Sequence, residues 1–152
     1  MQDMREPIWD LYLVTDPGSD PDAVPAIVTQ AITGGVTVVQ LRDKHATKPQ
    51  IRQRAQALKD AIQAVTAVSD ADPSTIPLFI NDHVDIAAEL GLHAHIGQGD
   101  VSYVAARRQL PAELMLGLSI ETADQLEHVV ETCHASGVRL PDVVGIGPVR
   151  AT

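Results

Sequence analysis

The sequence has no apolar run near the roughly 18 uninterrupted residues that a membrane span requires. Its opening segment, MQDMREPIWD, has no apolar signal region either. Cysteine is nearly absent: the single Cys133 excludes an intramolecular disulfide and lies in a helical pattern that suits a small buried side chain. Together these shortages predict a protein of the reducing cytoplasm with no membrane partner. Positive charge is scarce as well. Lys and Arg number 11 against 20 Asp and Glu, a formal net charge of −9. That balance opposes attraction to nucleic acid or to an anionic membrane surface, since both need a basic face. Small anionic substrates respond instead to a few local cations, and Arg42 and Lys44 are available.

The chain is 45% hydrophobic and 20% charged, with Gly and Pro spread rather than pooled. That is the balance of a globular chain, and its 152 residues fit a single domain over 1–152. Short β-branched apolar runs recur along the whole length, each followed by helical spacing, which predicts βα units around a parallel sheet. Six runs read as strands: Leu11–Thr15, Val36–Leu41, Pro77–Ile80, Leu92–Ile96, Leu114–Leu118 and Val143–Ile146. They are nearly continuous in apolar character, as strands covered on both faces must be.

The clearest helix runs from about Thr47 to Val68, where Ile51, Ala55, Leu58, Ile62 and Val65 form one stripe. Thr47 serves as its cap, and Pro49 is tolerated in the first turn because its missing N–H needs no partner there. A second helix carries Ala123, Leu126, Val130 and Cys133 inward, from a Thr122 cap to a stop near Gly137. Shorter helices are expected over Asp22–Thr33, Val84–Leu90 and Ser102–Gln109. Gly34-Gly35 reads as a helix C-cap.

After nearly every strand the chain turns polar at once: Thr15-Asp16, Gln40 to Lys44, Asn81-Asp82, Gly97 to Asp100, Ser119 and Gly147-Pro148. Polar strand ends gathered on one face describe the catalytic end of a barrel, whereas an open doubly wound sheet concentrates its ligand groups at one switch point. The expected fold is therefore α/β, of the (β/α)8 TIM-barrel type. A complete barrel takes roughly 200 residues at least, and this sequence stops just after its sixth strand. The barrel is expected to be incomplete, with about six βα units and a tendency to self-associate through its unclosed edges.

Several strand ends carry chemistry. Asn81-Asp82 and Asp100 follow successive strands, and paired carboxylates with substrate phosphates suit magnesium. Each aspartate also reads as a helix cap, Asp82 before His83 and Asp100 before Ser102. Gln40, Arg42 and Lys44 alternate, so they project to one side if the strand continues through them. A planar guanidinium and a point-charge ammonium together match a diphosphate; a solvated loop paired with Asp43 is the plainer alternative. His93 and His95 lie two apart on one strand, which fits either zinc ligation or packing with a hydrogen bond. Gly145-Ile146-Gly147 is too short and too late for a dinucleotide fingerprint. Gly117 and Gly145 within strands read as places where a ligand or neighbouring backbone approaches closely.

At these positions the sequence resembles the thiamin phosphate synthase family of barrel enzymes. The matching segments are LYLVTD at 11–16, GGVTVVQLRDK at 34–44, PLFINDHVDIA at 77–87, HIGQGD at 95–100, LGLS at 116–119 and VGIGPVRAT at 144–152. The resemblance implies that Gln40, Arg42, Lys44 and Asn81 hold the diphosphate of hydroxymethylpyrimidine diphosphate, with Asp82 and Asp100 carrying Mg2+. It places Ser119 by the pyrimidine ring, makes Lys44 and Ser119 the catalytic side chains, and makes Thr152 the first threonine of a Thr-x-Thr-Lys segment reaching both substrates. It implies transfer of the pyrimidine group to thiazole phosphate, giving thiamin phosphate and diphosphate. The sequence departs from the family in lacking that lysine and the seventh and eighth units, and in reading His93-Ala94-His95 where Gly-Val-His is common. Two other readings stay open: a thiazole tautomerase-like barrel, which needs no metal carboxylates, and a non-catalytic fragment that needs a complementing chain.

Overall fold

A computed structural model describes residues 7–69, 71–148 and 150. Among these residues six strands alternate with five α-helices. In chain order they are β1 (Tyr12–Val14), α1 (Val24–Thr33), β2 (Val38–Leu41), α2 (Lys48–Val68), β3 (Leu78–Asn81), α3 (Val84–Leu90), β4 (His93–Ile96), α4 (Tyr103–Gln109), β5 (Leu116–Ile120), α5 (Ala123–Ser136) and β6 (Val143–Ile146). The order of strands in the sheet is the order in the chain. The pairs β1–β2, β4–β5 and β5–β6 are parallel. A helix in every crossover of such a sheet is the βα unit of the TIM-barrel type, present here in incomplete form as the sequence predicts. By contact density the chain divides into two compact units, Met1–Phe79 and Ile80–Thr152, with the boundary inside β3.

In the first unit α1 packs on α2, and the core is Val28 with Val38, Val39 and Leu41 of β2 and Ile51, Ala55, Leu58 and Ile62 of α2. Burying each aliphatic side chain contributes about 1.5–3 kcal/mol relative to exposure. The predicted stripe on α2 holds except at its end: Val65 is half-buried and Thr66 takes the buried place, its hydroxyl donating to the Ile62 carbonyl at 2.7 Å. The stripe steps by four from Ile62, and a back-bonded hydroxyl is satisfied without solvent. At the other end Thr47 caps as expected, with the Gln50 side chain accepting from the Thr47 N–H at 2.8 Å. Helix α1 starts two residues later than predicted because the Asp20 side chain holds the Asp22 N–H in a turn at 3.1 Å. It ends at Gly34, and Gly35 has a φ of 111°, which a side chain rarely tolerates.

In the second unit Ile80, Val84, Ile86, Ala94, Ile96, Ala106, Leu116 and Cys133 are almost wholly buried. Helix α3 and strand β6 have the predicted bounds. Strand β5 lies two residues later than expected. Leu114 is buried in a turn, its N–H bonded to the Pro111 carbonyl at 3.0 Å, and Ser119 sits inside the strand rather than after it. Helix α5 keeps its Thr122 cap and Gly137 stop but buries Val129 and Cys133, while Ala123 and Leu126 are exposed. The correction has a simple cause: two overlapping apolar stripes share Cys133, and α5 turns the Val129 one toward α4 and β5, on which it packs.

Arg107 on α4 is 7% exposed and was not singled out in the sequence. Its guanidinium donates to the carbonyls of Leu110, Pro111 and Leu114 at 3.1, 2.7 and 3.0 Å, with Asp142 3.5 Å away. Asp142 also accepts from the Leu116 N–H at 2.8 Å. One buried fork thus satisfies the end of α4 and the entry to β5. Strand β1, by contrast, leaves Val14 44% exposed with Leu11 beside it 51%, and β6 leaves Ile146 73% exposed. Among the described residues no helix is long and apolar enough to cross a membrane.

Candidate functional site

In the first unit, Thr15 follows β1 and is buried. Its hydroxyl accepts from the Arg42 N–H at 3.0 Å and donates to the Arg42 carbonyl at 3.3 Å, while its own N–H reaches the Gln40 carbonyl at 2.9 Å. Strand β2 ends at Leu41 for this reason, so the pleat does not set the directions of Arg42 and Lys44 as continued alternation would. Gln40 is buried, and its amide donates to the Tyr12 hydroxyl at 2.9 Å. Burial pushes the Tyr12 phenol up to about 12, with the Gln40 bond acting in the opposite direction. The phenol therefore stays neutral at ordinary pH.

Asp43 forms an ion pair with Arg54 of α2 and accepts from the N–H groups of His45 and Ala46 at 3.0 and 3.1 Å. Arg42 lines a cavity of about 380 Å³ together with Thr15, Asp16, Asp43, Gln50 and Arg54. Lys44 is exposed in the same loop. Neither Tyr12 nor Thr15 was read as a site residue. Their signal was a hydrogen-bonding side chain inside or directly after a strand that is otherwise apolar.

In the second unit, Asn81 closes β3 and Asp82 follows with a φ of 66°. That left-handed conformation is uncommon for a residue with a side chain, and Asp is among the few that tolerate it. The Asp82 N–H donates to the His95 carbonyl at 2.9 Å, tying the ends of β3 and β4 together. The N-cap of α3 is His83. Asp100 accepts from the Gly97 N–H at 2.7 Å, and the cap of α4 is Ser102, whose hydroxyl accepts from the Ala105 N–H. Neither aspartate is thus the cap of the helix that follows it. Ser119 is held twice: its Oγ is 2.9 Å from His95 Nε2, and its carbonyl accepts from the Gln98 amide at 2.7 Å.

The two histidines of β4 are each hydrogen-bonded within the protein. His93 Nδ1 accepts from the Met115 N–H at 2.9 Å, and burial pushes the ring down to about 4, the Asp142 charge opposing. Burial also lowers the His95 ring below its ordinary value, with the Asp100 charge opposing. Both rings serve as neutral hydrogen-bonding groups, the packing alternative of the sequence reading. Gly117 admits the His95 side chain rather than a ligand or backbone, and a Cβ at Gly145 would make only ordinary contacts. Among the described residues no group of three His, Cys, Asp or Glu is placed to hold a metal alone. Thr152 lies outside the described residues.

Comparison with known proteins adds relatives over almost the whole chain. A thiamine biosynthesis multifunctional protein of Corynebacterium efficiens is 55% identical over 146 residues, 95% of this chain and 18% of that protein. A thiamine-phosphate synthase of a Psychrobacter species is 45% identical over 144 residues, 93% of this chain and 61% of that protein. Among solved structures, a thiamine phosphate pyrophosphorylase of Pyrococcus furiosus superposes with a TM-score of 0.66 at 26% identity, covering 93% of this chain and 61% of that one. The chain therefore spans about three-fifths of the length of these synthase relatives. The thiamine monophosphate synthase family model matches residues 11–152, and the chain belongs to that family.

Proposed function

We propose that the chain carries the pyrimidine-transfer site of a thiamin phosphate synthase. In that reaction the bond between the pyrimidine methylene and the diphosphate oxygen breaks, its electron pair leaving with the diphosphate. The thiazole nitrogen lone pair then forms a bond to the methylene carbon, giving thiamin phosphate. No protein nucleophile is needed. Gln40, Arg42, Lys44 and Asn81 hold the diphosphate, and the Lys44 ammonium offsets the charge that develops as it leaves. Ser119 lies beside the pyrimidine. Holding the thiazole nitrogen in line contributes the remaining part of the rate.

Asp82 and Asp100 would hold Mg2+; their oxygens suit a hard cation that takes its other ligands from phosphate and water. Held there, the ion would neutralise charge on the departing diphosphate. The observation that carries the reading is Asp82, presented from a left-handed backbone at the end of β3. The substrates are small molecules, and the single buried Cys133 accords with a cytoplasmic setting.

The test is formation of thiamin phosphate by this chain from hydroxymethylpyrimidine diphosphate, thiazole phosphate and magnesium. Asp82→Ala should lower the rate by about two to three orders of magnitude, the scale of losing one electrostatic group at a transition state. Absence of product from compact wild-type protein would sink the reading.

A second reading is favoured by the exposed apolar residues Val14 of β1, Leu11 just before it and Ile146 of β6. On it the chain binds diphosphate without turnover and associates with other copies through β1 and β6, because unpaired parallel edges are templates for pairing. Sedimentation across a hundredfold concentration range tests it: a concentration-independent monomer rules it out.

A further inference from the structure

The His95 ring lies over Gly117, its register partner on β5. A Cβ on Gly117 would come within 3.2 Å of His95 Cε1 and closer still to Nδ1. The glycine hydrogen that takes this direction therefore points at Nδ1. His95 is 8% exposed, and Nδ1 has no hydrogen-bond partner.

These facts choose between the two neutral tautomers of the ring. A hydrogen on Nδ1 would be a buried donor without an acceptor, pressed against a C–H group. A bare Nδ1 turns its lone pair to that C–H, a weak but favourable contact. The ring hydrogen then stands on Nε2, 2.9 Å from Ser119 Oγ. A serine hydroxyl has one hydrogen to give and two lone pairs to receive. With Nε2–H donating into one lone pair, the hydroxyl hydrogen is left to turn outward, while the Gln98 bond to the Ser119 carbonyl fixes the backbone beneath it.

We propose that His95 is a positioning residue that makes Ser119 a hydrogen-bond donor toward its ligand, selecting a bare heteroaromatic ring nitrogen over a C–H edge. The role of the ligand rests on the reading that Ser119 lies beside the pyrimidine; the tautomer does not.

Two measurements test this. Long-range 1H–15N correlation on histidine-labelled chain without substrate reads the tautomer of each of the six histidines, and His95→Gln assigns the relevant signal by its loss. An Nε2–H pattern is expected, and an Nδ1–H or doubly protonated pattern overturns the proposal whatever the chain catalyses. In turnover, His95→Phe keeps bulk but removes the donor, and should raise KM for hydroxymethylpyrimidine diphosphate about tenfold with a smaller change in kcat, the scale of one lost hydrogen bond. His95→Gln, which restores an N–H, should recover most of the loss. Equal KM values for wild type and His95→Phe would overturn the proposal, whereas a chain without any turnover would remove the synthase reading and leave the tautomer to decide.

Discussion

Asp82 combines two properties that substitution can separate. Its backbone sits at a φ of 66°, which costs a residue with a Cβ up to about 1 kcal/mol more than glycine. Asp82→Gly should therefore melt above Asp82→Ala, with thiamin phosphate formation lowered in both by about two to three orders of magnitude. Equal thermal midpoints for the two variants would show that the left-handed backbone carries no such cost. His93 governs a pH effect. Unfolded, its ring titrates near 6.5; folded, burial holds it near about 4. Between those values the unfolded chain takes up a proton that the folded chain refuses, so stability is whole above pH 6.5 and falls as the pH drops toward 4, by about 2–3 kcal/mol. His95 is shifted in the same direction and adds to it. His93→Asn, which puts an acceptor where Nδ1 stands, should flatten part of this slope in urea unfolding at pH 7 and 4.5. Asp82 and Asp100 stood out in the sequence as carboxylates in the loops after two apolar strands, Asp82 next to the end of β3 and Asp100 four residues past β4. Tyr12 left only the weaker signal of a polar group inside an apolar strand, and nothing in that strand shows that Gln40 on the neighbouring one will reach it.

At the scale of elements, the sequence was most informative where a short run lies between a polar residue and a glycine, as at β6 between Asp142 and Gly147 and at α3 between His83 and Gly91. It misplaced β5 because Leu114 and Ser119 invert the usual signals: an apolar residue buried in a turn, and a polar one inside a strand because it faces His95. It misjudged α5 because two apolar stripes overlap there and only the neighbours α4 and β5 choose between them. Arg107 left no periodic trace at all, since its role is to satisfy carbonyls of the chain around it. The Leu110 carbonyl relies on this planar fork, while the Pro111 carbonyl also accepts from the Leu114 N–H and the Leu114 carbonyl also accepts from Arg139. Arg107→Lys keeps the charge but not the fork, so it should cost about 2–3 kcal/mol in denaturant unfolding, close to the effect of Arg107→Met. A loss below about 0.5 kcal/mol would mean that solvent replaces the guanidinium.

At the scale of the whole molecule, the alternation of strands and helices was readable because parallel strands covered on both faces leave nearly unbroken apolar runs. The division at Phe79 and Ile80 was not, because it falls inside a strand and carries no linker, glycine cluster or change of composition. The chain's one tryptophan, Trp9, stacks on Tyr12 with ring centroids 6.4 Å apart and lies 6.1 Å from Phe79, all within the first unit. Its emission is therefore a private signal of that unit, while far-ultraviolet circular dichroism averages over both. If the molecule melts as one cooperative body the two curves coincide. If the units melt apart, the fluorescence midpoint will separate from the dichroism midpoint, and the size and sign of the gap will tell which half gives way first without any mutation or added label.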